Sequence, residues 1–213
     1  MKILNLYSGI GGNRKNWDNI PGLNVTAVEY NESIASVYKS FFPGDNVIVD
    51  DAHEYLLKNY MNFDVIWTSP PCQSHSMMYQ NLGVKSGQNK PIYPDMKLYQ
   101  EIIFLKHNFE GIWIVENVQS YYKPLIAAQN IGRHLIWSNK IIKNKKFESL
   151  FLDKATITDL QDKLGFNLKP FKLHNKRQIL RNCCLPALGE HILKSALDEI
   201  QPGQYIGNLF QGL

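Results

Sequence analysis

Cysteine is scarce in this chain: three in 213 residues, two of them adjacent at Cys183-Cys184. That number cannot build a disulfide framework, and neither a Cys-x-x-Cys nor a His-Glu-x-x-His spacing occurs, so no metal site is expected. No apolar run approaches the ~20 residues that a membrane helix needs. The start lacks a long apolar stretch followed by a small-residue cleavage site, so a signal peptide is not expected and a cytoplasmic location is. Low-complexity tracts and internal repeats are absent. Charge of one sign is also in short supply. A net charge of +4 tolerates a polyanionic partner without demanding one.

What remains is an ordinary globular composition, 44% hydrophobic and 20% charged, in a length suited to one α/β domain with a small appended lobe. Ile3 to Tyr7 reads as a buried first strand, followed by the glycine turn Ser8-Gly9-Ile10-Gly11-Gly12 and a helix containing Trp17. Strand, glycine turn and helix open a nucleotide-binding βαβ unit. Further strands are expected at Val25–Glu29, Asn46–Val49, Phe63–Trp67 and Gly111–Val115. Between them lie a helix capped by Asn31 and stopped at Pro43-Gly44, a helix over Glu54–Tyr60 and a helix starting at Asp95. Strands alternating with helices predict a mostly parallel, doubly wound sheet. The polar segment Gln73 to Pro94 has no clear period, and such a stretch within a compact domain is functional or mobile. Helices are expected again at Ile157–Leu164 and Leu185–Leu197.

Cys72 stands out chemically. It follows Pro70-Pro71 directly after the Phe63–Trp67 strand, and the prolines end the ladder and fix the turn, so the thiol is presented at the sheet edge where α/β enzymes keep their sites. A lone cysteine more often packs in a core. Its company decides. Glu116 closes an apolar strand, where an unpaired buried carboxylate is costly and a site role is favoured. Glu29 ends the second strand about 20 residues beyond the glycines, the position at which ribose hydroxyls are held in such folds. Asp50 and Asp51 flank the same crevice, with a helix cap as the competing role for one of them. Acidic crevice walls suit a cofactor bound through its adenosine end and carrying no phosphate.

Taken in order, Ser8-Gly9-Ile10-Gly11-Gly12, Pro70-Pro71-Cys72-Gln73 with Ser76, Glu116-Asn117-Val118, and Arg177-Gln178 with Asn182 resemble the motifs of the cytosine-5 DNA methyltransferase family. The resemblance covers most of residues 1–137 and returns at about 174–193. It implies a Rossmann-like fold dependent on S-adenosylmethionine, divided into a catalytic and cofactor-binding domain (1–137), a reduced target-recognition region (138–173) and a C-terminal segment returning to the catalytic domain (174–213). By the same resemblance Cys72 is the nucleophile that adds to carbon 6 of cytosine, Glu116 assists at ring nitrogen 3, and Arg133 holds the base carbonyl. The family pattern there is Gln-x-Arg-x-Arg, whereas this chain has Gly132-Arg133-His134. Gly9, Ile10 and Gly11 would cradle the methionine part of the cofactor, Glu29 the ribose, and Asp51 or Asp50 the adenine amine. Ser8, Tyr30, Pro70 and Asn182 complete the cofactor set.

The implied partner is double-stranded DNA, bound by a monomer, with a second copy or another protein as the alternative source of target recognition. Lysines at 140 to 146 and the basic series from Lys169 to Arg181 suit phosphate contacts. The compact layout is similar to that of small phage or mobile-element enzymes that protect DNA from restriction. Three other readings compete. Ser69-Pro70-Pro71 is shared with methyltransferases of exocyclic amines, but these carry an aromatic where Cys72 stands. An RNA substrate is compatible with the same chemistry. A non-catalytic nucleic-acid-binding protein would have no use for Cys72 and Glu116 together. His75 and Ser76 follow the nucleophile, with a solvated loop as the ordinary setting for the histidine, and His134 reads as a strand-end residue.

Overall fold

The computed structural model describes residues 1–147 and 155–198. Seven strands form one sheet among the described residues: β1 (Lys2–Leu6), β2 (Asn24–Glu29), β3 (Asn46–Val49), β4 (Val65–Thr68), β5 (Ile112–Val118), β6 (Gln129–Ile131) and β7 (His134–Ser138), in the order β3-β2-β1-β4-β5-β7-β6. The first five run parallel, whereas β7 pairs antiparallel with both β5 and β6. Helices α1 (Glu32–Phe41), α2 (Ala52–Asn59) and α3 (Lys97–Asn108) are the crossovers, and α4 (Ile157–Leu164), α5 (Lys176–Arg181) and α6 (Pro186–Asp198) follow the sheet. The expected α/β, doubly wound, mostly parallel architecture is what forms.

The period-two alternation of strands buried on both faces divides the core. Ile3, Val25, Val65, Ile112 and Ile114 face α6 through Leu188, Ile192 and Leu193. Leu4, Leu6, Ile66 and Val115 face α2 and α3 through Leu56, Ile102 and Leu105. A third cluster joins Leu160 and Leu164 of α4, Phe166 and Leu168 to Ile10 and to Val37, Tyr38 and Phe42. The described part of the segment beyond Ser138 thus shares a core with α1. Residues 148–154 of the expected recognition region and 199–213 of the expected C-terminal segment lie outside the described residues.

Several expectations are corrected. The glycine turn leads into no α-helix: Trp17–Asn19 is a single 3₁₀ turn, because Trp17 is drawn fully inside to meet Trp67 at 5.6 Å between ring centroids and Pro21-Gly22 stops the chain there. The fifth strand carries Glu116, Asn117 and Val118 at its end within the ladder, since β7 supplies a partner for all three. Asp95 stands one residue ahead of the helix cap at Met96, although its Oδ1 accepts from the Lys97 N–H at 3.0 Å. Asn31 does cap α1, accepting from the Ile34 N–H at 3.1 Å. The C-terminal segment lies close against the glycine turn: a Cβ on Gly12 would meet the Cys183 Cβ at 2.7 Å, and one on Gly189 would meet the Asn13 carbonyl oxygen at 2.4 Å.

Candidate active site

The carboxyl ends of β1, β2, β4 and β5 open into one cavity of about 510 Å³, within the usual size for a small-molecule site. It lies where strand order reverses between β1 and β4, the switch point at which open α/β sheets bind ligands. Ser8, Gly9, Ile10, Glu29, Tyr30, Asp51, Pro70, Cys72, Glu116, Arg133 and Asn182 all line it. Gly11 stands just behind this lining. With φ at +87° it turns the chain, and a Cβ there would meet the Phe42 ring at 2.3 Å, so its lack of a side chain serves packing against α1.

At the glycine end, the Glu29 carboxylate accepts from the Gly9 N–H at 3.0 Å and from the Asn31 N–H at 2.9 Å. It thereby ties the glycine turn to the start of α1. Asp51 takes the competing role of a helix cap and also stands in the cavity wall. Its Oδ1 caps α2, accepting from the N–H groups of His53 and Glu54, while the side chain still lines the cavity beside Lys97. Burial would raise its pKa, but those backbone donors and the Lys97 charge hold it below the ordinary carboxylate value. On the far side, the Asn182 amide oxygen accepts from the Gln178 side chain at 2.6 Å.

At the other end, the Asn117 side chain donates to the Pro70 carbonyl at 3.0 Å, so the strand carrying Glu116 also pins the turn carrying Cys72. The Cys72 carbonyl accepts from the His75 and Ser76 N–H groups. His75 is not a solvated loop residue. It is buried, with Nδ1 against the Tyr122 hydroxyl at 2.6 Å and Nε2 against the Asp95 carbonyl at 3.0 Å, an anchor for the polar segment. Burial and the negative charge of Glu116 push the Cys72 thiol up to about 11, with Arg133 pulling the other way. For Glu116 burial would raise the pKa, yet the hydrogen bond and charge of His134, with help from Ser69 and Arg133, hold it below its ordinary value.

His134, read from the sequence as a strand-end residue, does begin β7, and it also lines the cavity beside Glu116, a placement the sequence did not indicate. Its Nδ1 lies 2.5 Å from Glu116 Oε1, and both side chains are buried. Glu116 stands opposite Ile136 and His134 opposite Val118, so the two are diagonal neighbours on one face of the sheet. The apolar run Leu135-Ile136-Trp137 was the available signal for the strand that places it.

A family model described as "C-5 cytosine-specific DNA methylase" matches residues 1–148. The chain belongs to that family. Among curated relatives, a tRNA (cytosine(38)-C(5))-methyltransferase of Spodoptera frugiperda is 42% identical over 77 residues, covering 34% of this chain and 23% of that protein. The type II methyltransferase M.FnuDI of Fusobacterium nucleatum is 28% identical over 123 residues, covering 56% of this chain and 36% of that protein. These matches thus span well under two thirds of either relative. Among solved structures, the Entamoeba histolytica methyltransferase EhMeth is similar in fold at a TM-score of 0.53 and 12% identity, covering 94% of this chain and 99% of that one.

The cofactor of the family is S-adenosylmethionine, and the cavity fits it. Ser8 Oγ is buried with no hydrogen-bond partner among the described residues, a position that costs free energy until a polar ligand group satisfies it. A Cβ on Gly9 would meet nothing within 4 Å, which leaves the backbone open to close approach. Glu29→Ala is expected to weaken cofactor binding by roughly 1–3 kcal/mol through loss of charged hydrogen bonds, measured by calorimetric titration with the demethylated cofactor product. Unchanged affinity would mean that Glu29 does not contact the cofactor.

Because the Glu116 charge helps to raise the Cys72 pKa, Glu116→Gln should lower that pKa. Iodoacetamide should then alkylate Cys72 faster at neutral pH, while methyl transfer falls. Alkylation no faster than in wild type would mean that the two groups are not electrostatically coupled.

Proposed function

We propose that this chain is a DNA (cytosine-5-)-methyltransferase that acts on a flipped-out cytosine through a covalent adduct with Cys72. The observation that carries this reading is that Cys72 and Glu116 share one cavity with the glycine turn and Glu29. Carbon 5 of cytosine is a weak nucleophile. When the Cys72 thiolate forms a bond to carbon 6, the ring double-bond electrons move toward carbon 5, and nitrogen 3 takes up a proton from solvent, held there as an N–H that donates to the Glu116 carboxylate, so that the product is stabilised as an enamine. The cofactor supplies the methyl group that carbon 5 then acquires. Loss of the carbon 5 proton to a base and departure of the sulfur as thiolate restore the ring and the enzyme. Arg133 stands at the same cavity to hold the base carbonyl and offset developing negative charge. Ring chemistry of this kind cannot be done on a stacked base, so flipping is required, at a few kcal/mol for unstacking.

We assign the region 138–173 to target reading. Its small size leaves few side chains to reach base edges, so specificity should extend over roughly two to four base pairs, each wrong pair costing about 1–3 kcal/mol. Bisulfite sequencing of DNA from cells expressing the protein would reveal the context. Modification confined to a site of six or more base pairs by the purified protein would contradict it.

A second reading, an RNA cytosine substrate, is favoured by the likeness to the Spodoptera tRNA enzyme. Bisulfite sequencing of tRNA from the same cells discriminates: methylation in tRNA with none in DNA would replace DNA as the substrate. The exocyclic-amine reading has no role for a buried carboxylate paired beside the cysteine. No helix among the described residues is long and apolar enough to cross a membrane. Action in the cytoplasm by one copy of the chain is the expectation for this reading.

A further inference from the structure

Resting on the cofactor reading of the cavity, we propose that Lys97 is a further cofactor-binding residue, whose ammonium group donates to ring nitrogen 1 of the adenine while the Asp51 carboxylate accepts from the adenine amine. The two groups stand side by side. Both line the cavity, and Lys97 Nζ lies 3.8 Å from Asp51 Oδ2. That separation exceeds a hydrogen bond, so neither group has closed on the other and one ligand edge can engage both. The second oxygen of Asp51 is already in use, since Oδ1 accepts from the His53 and Glu54 N–H groups at 2.9 and 3.2 Å. Oδ2 is therefore the oxygen left for a ligand.

A carboxylate only accepts and an ammonium only donates, so the pair is matched by a ligand edge that carries a donor next to an acceptor. Adenine has that edge in its amine and nitrogen 1. Asp51 alone would meet half of it. Among the described residues, three lysine or arginine side chains line the cavity: Lys97, Arg133 and Arg181. Arg133 acts on Cys72 and Glu116 at the opposite end, and the Arg181 guanidinium reaches Met78 Sδ at 3.0 Å. Lys97 is the cation beside Asp51. The Asp95 and Glu29 side chains, which also line the cavity, are acceptors and offer a ring nitrogen nothing. Asp95 Oδ1 accepts from the Lys97 N–H at 3.0 Å, which holds the first residue of α3 at the cavity wall. The side chains of Lys97 and Asp51 are 45% and 42% exposed, a setting in which an ion pair by itself contributes little to stability. A purely structural account of the lysine is therefore weak.

The test is calorimetric titration of the full chain with S-adenosylhomocysteine and with its 1-deaza analogue, in which a C–H replaces nitrogen 1. Three proteins are compared: wild type, Lys97→Met, which keeps the reach of the side chain without a donor, and Lys97→Arg, which keeps the charge and the donors. Wild type is expected to bind the 1-deaza analogue about 5- to 30-fold more weakly than the parent, the range for one hydrogen bond from a charged donor at a half-exposed position. Lys97→Met should lose affinity for the parent by that same factor but for the analogue by less than about 2-fold, so that it no longer distinguishes the two. Lys97→Arg should restore most of the distinction. The Tm of Lys97→Met is expected within about 3 °C of wild type, which separates loss of binding from loss of fold. Equal weakening of both ligands in Lys97→Met would mean that the lysine acts only through the Asp51 charge, and would overturn the contact with nitrogen 1. So would a wild type that binds both ligands equally, or a Lys97→Met protein that still tells them apart as wild type does, nitrogen 1 then being met by another donor such as the Ala52 N–H at the start of α2. A wild type that binds neither ligand at high micromolar concentration overturns the cofactor reading on which the role rests.

Discussion

Cys72→Ser is expected to abolish both methyl transfer and covalent trapping, a loss on the order of 10³-fold or more for removal of a nucleophile. With a thiol pKa pushed up to about 11, on the order of 1 in 10⁴ molecules carries the thiolate at pH 7 in the free protein. A serine hydroxyl, several units more basic, has effectively none. Burial and the Glu116 charge both disfavour the thiolate, and Arg133 offsets part of that. DNA containing 5-fluorocytosine should trap the wild type as an adduct stable to denaturing electrophoresis, since fluorine at carbon 5 cannot leave as a proton does. The adduct should depend on the cofactor, because trapping needs the methylated ring, and its rate should rise with pH over the range in which the thiolate fraction grows. An undiminished adduct in Cys72→Ser would end the proposed role of this residue.

The Pro70-Pro71-Cys72 turn was legible because two prolines and one cysteine carry their meaning locally, and the parallel strands because each is a short apolar run of β-favouring residues. β3, where only Val47, Ile48 and Val49 are apolar, sits at its predicted place, since the glycine turn, Asn31 and Pro43-Gly44 leave little choice of register around it. β6 and β7 were missed for a physical reason. β6 is three residues long, β7 offers only the short apolar run Leu135-Ile136-Trp137, and an antiparallel pairing leaves no mark in the strand's own sequence. Missing β7 also meant missing the contact between His134 and Glu116, which that pairing creates. Gly11 illustrates a different limit: a glycine demanded by the turn and one demanded by a ligand read alike. The helix expected at Trp17 failed because tertiary burial against Trp67 outweighed local pattern.

Glu101→Ala is expected to destabilise the fold by about 3–5 kcal/mol, the range for removing one partner of a buried ion pair, and so to lower Tm by roughly 6–20 °C for a chain of this size. Glu101 is 1% exposed on α3. Its carboxylate accepts from the Tyr7 hydroxyl at 2.6 Å and the Thr68 hydroxyl at 2.6 Å, and its Oε1 meets His53 Nδ1 at 2.9 Å. One side chain therefore holds the ends of β1 and β4 and the first turn of α2, three walls of the cofactor cavity. Tyr7 is held at a φ of +55°, a conformation that a bulky side chain adopts only when its surroundings enforce it. Alanine would leave two hydroxyls buried without this acceptor, whereas Glu101→Gln keeps one acceptor oxygen and should cost less. The pH dependence separates the ionic part from the packing part. The hydrogen bond to Glu101 raises the His53 pKa, burial opposes it, and the Glu101 charge adds to the rise. With the folded value above the unfolded one of about 6.5, the stabilisation is fully present below that unfolded value and is lost as pH rises through the folded one. Denaturant titrations of wild type from pH 5.5 to 8.5 should show that decline, and Glu101→Ala should flatten it. A variant as stable as wild type, or one that keeps the full pH slope, would show that the carboxylate neither braces the cavity nor charges His53.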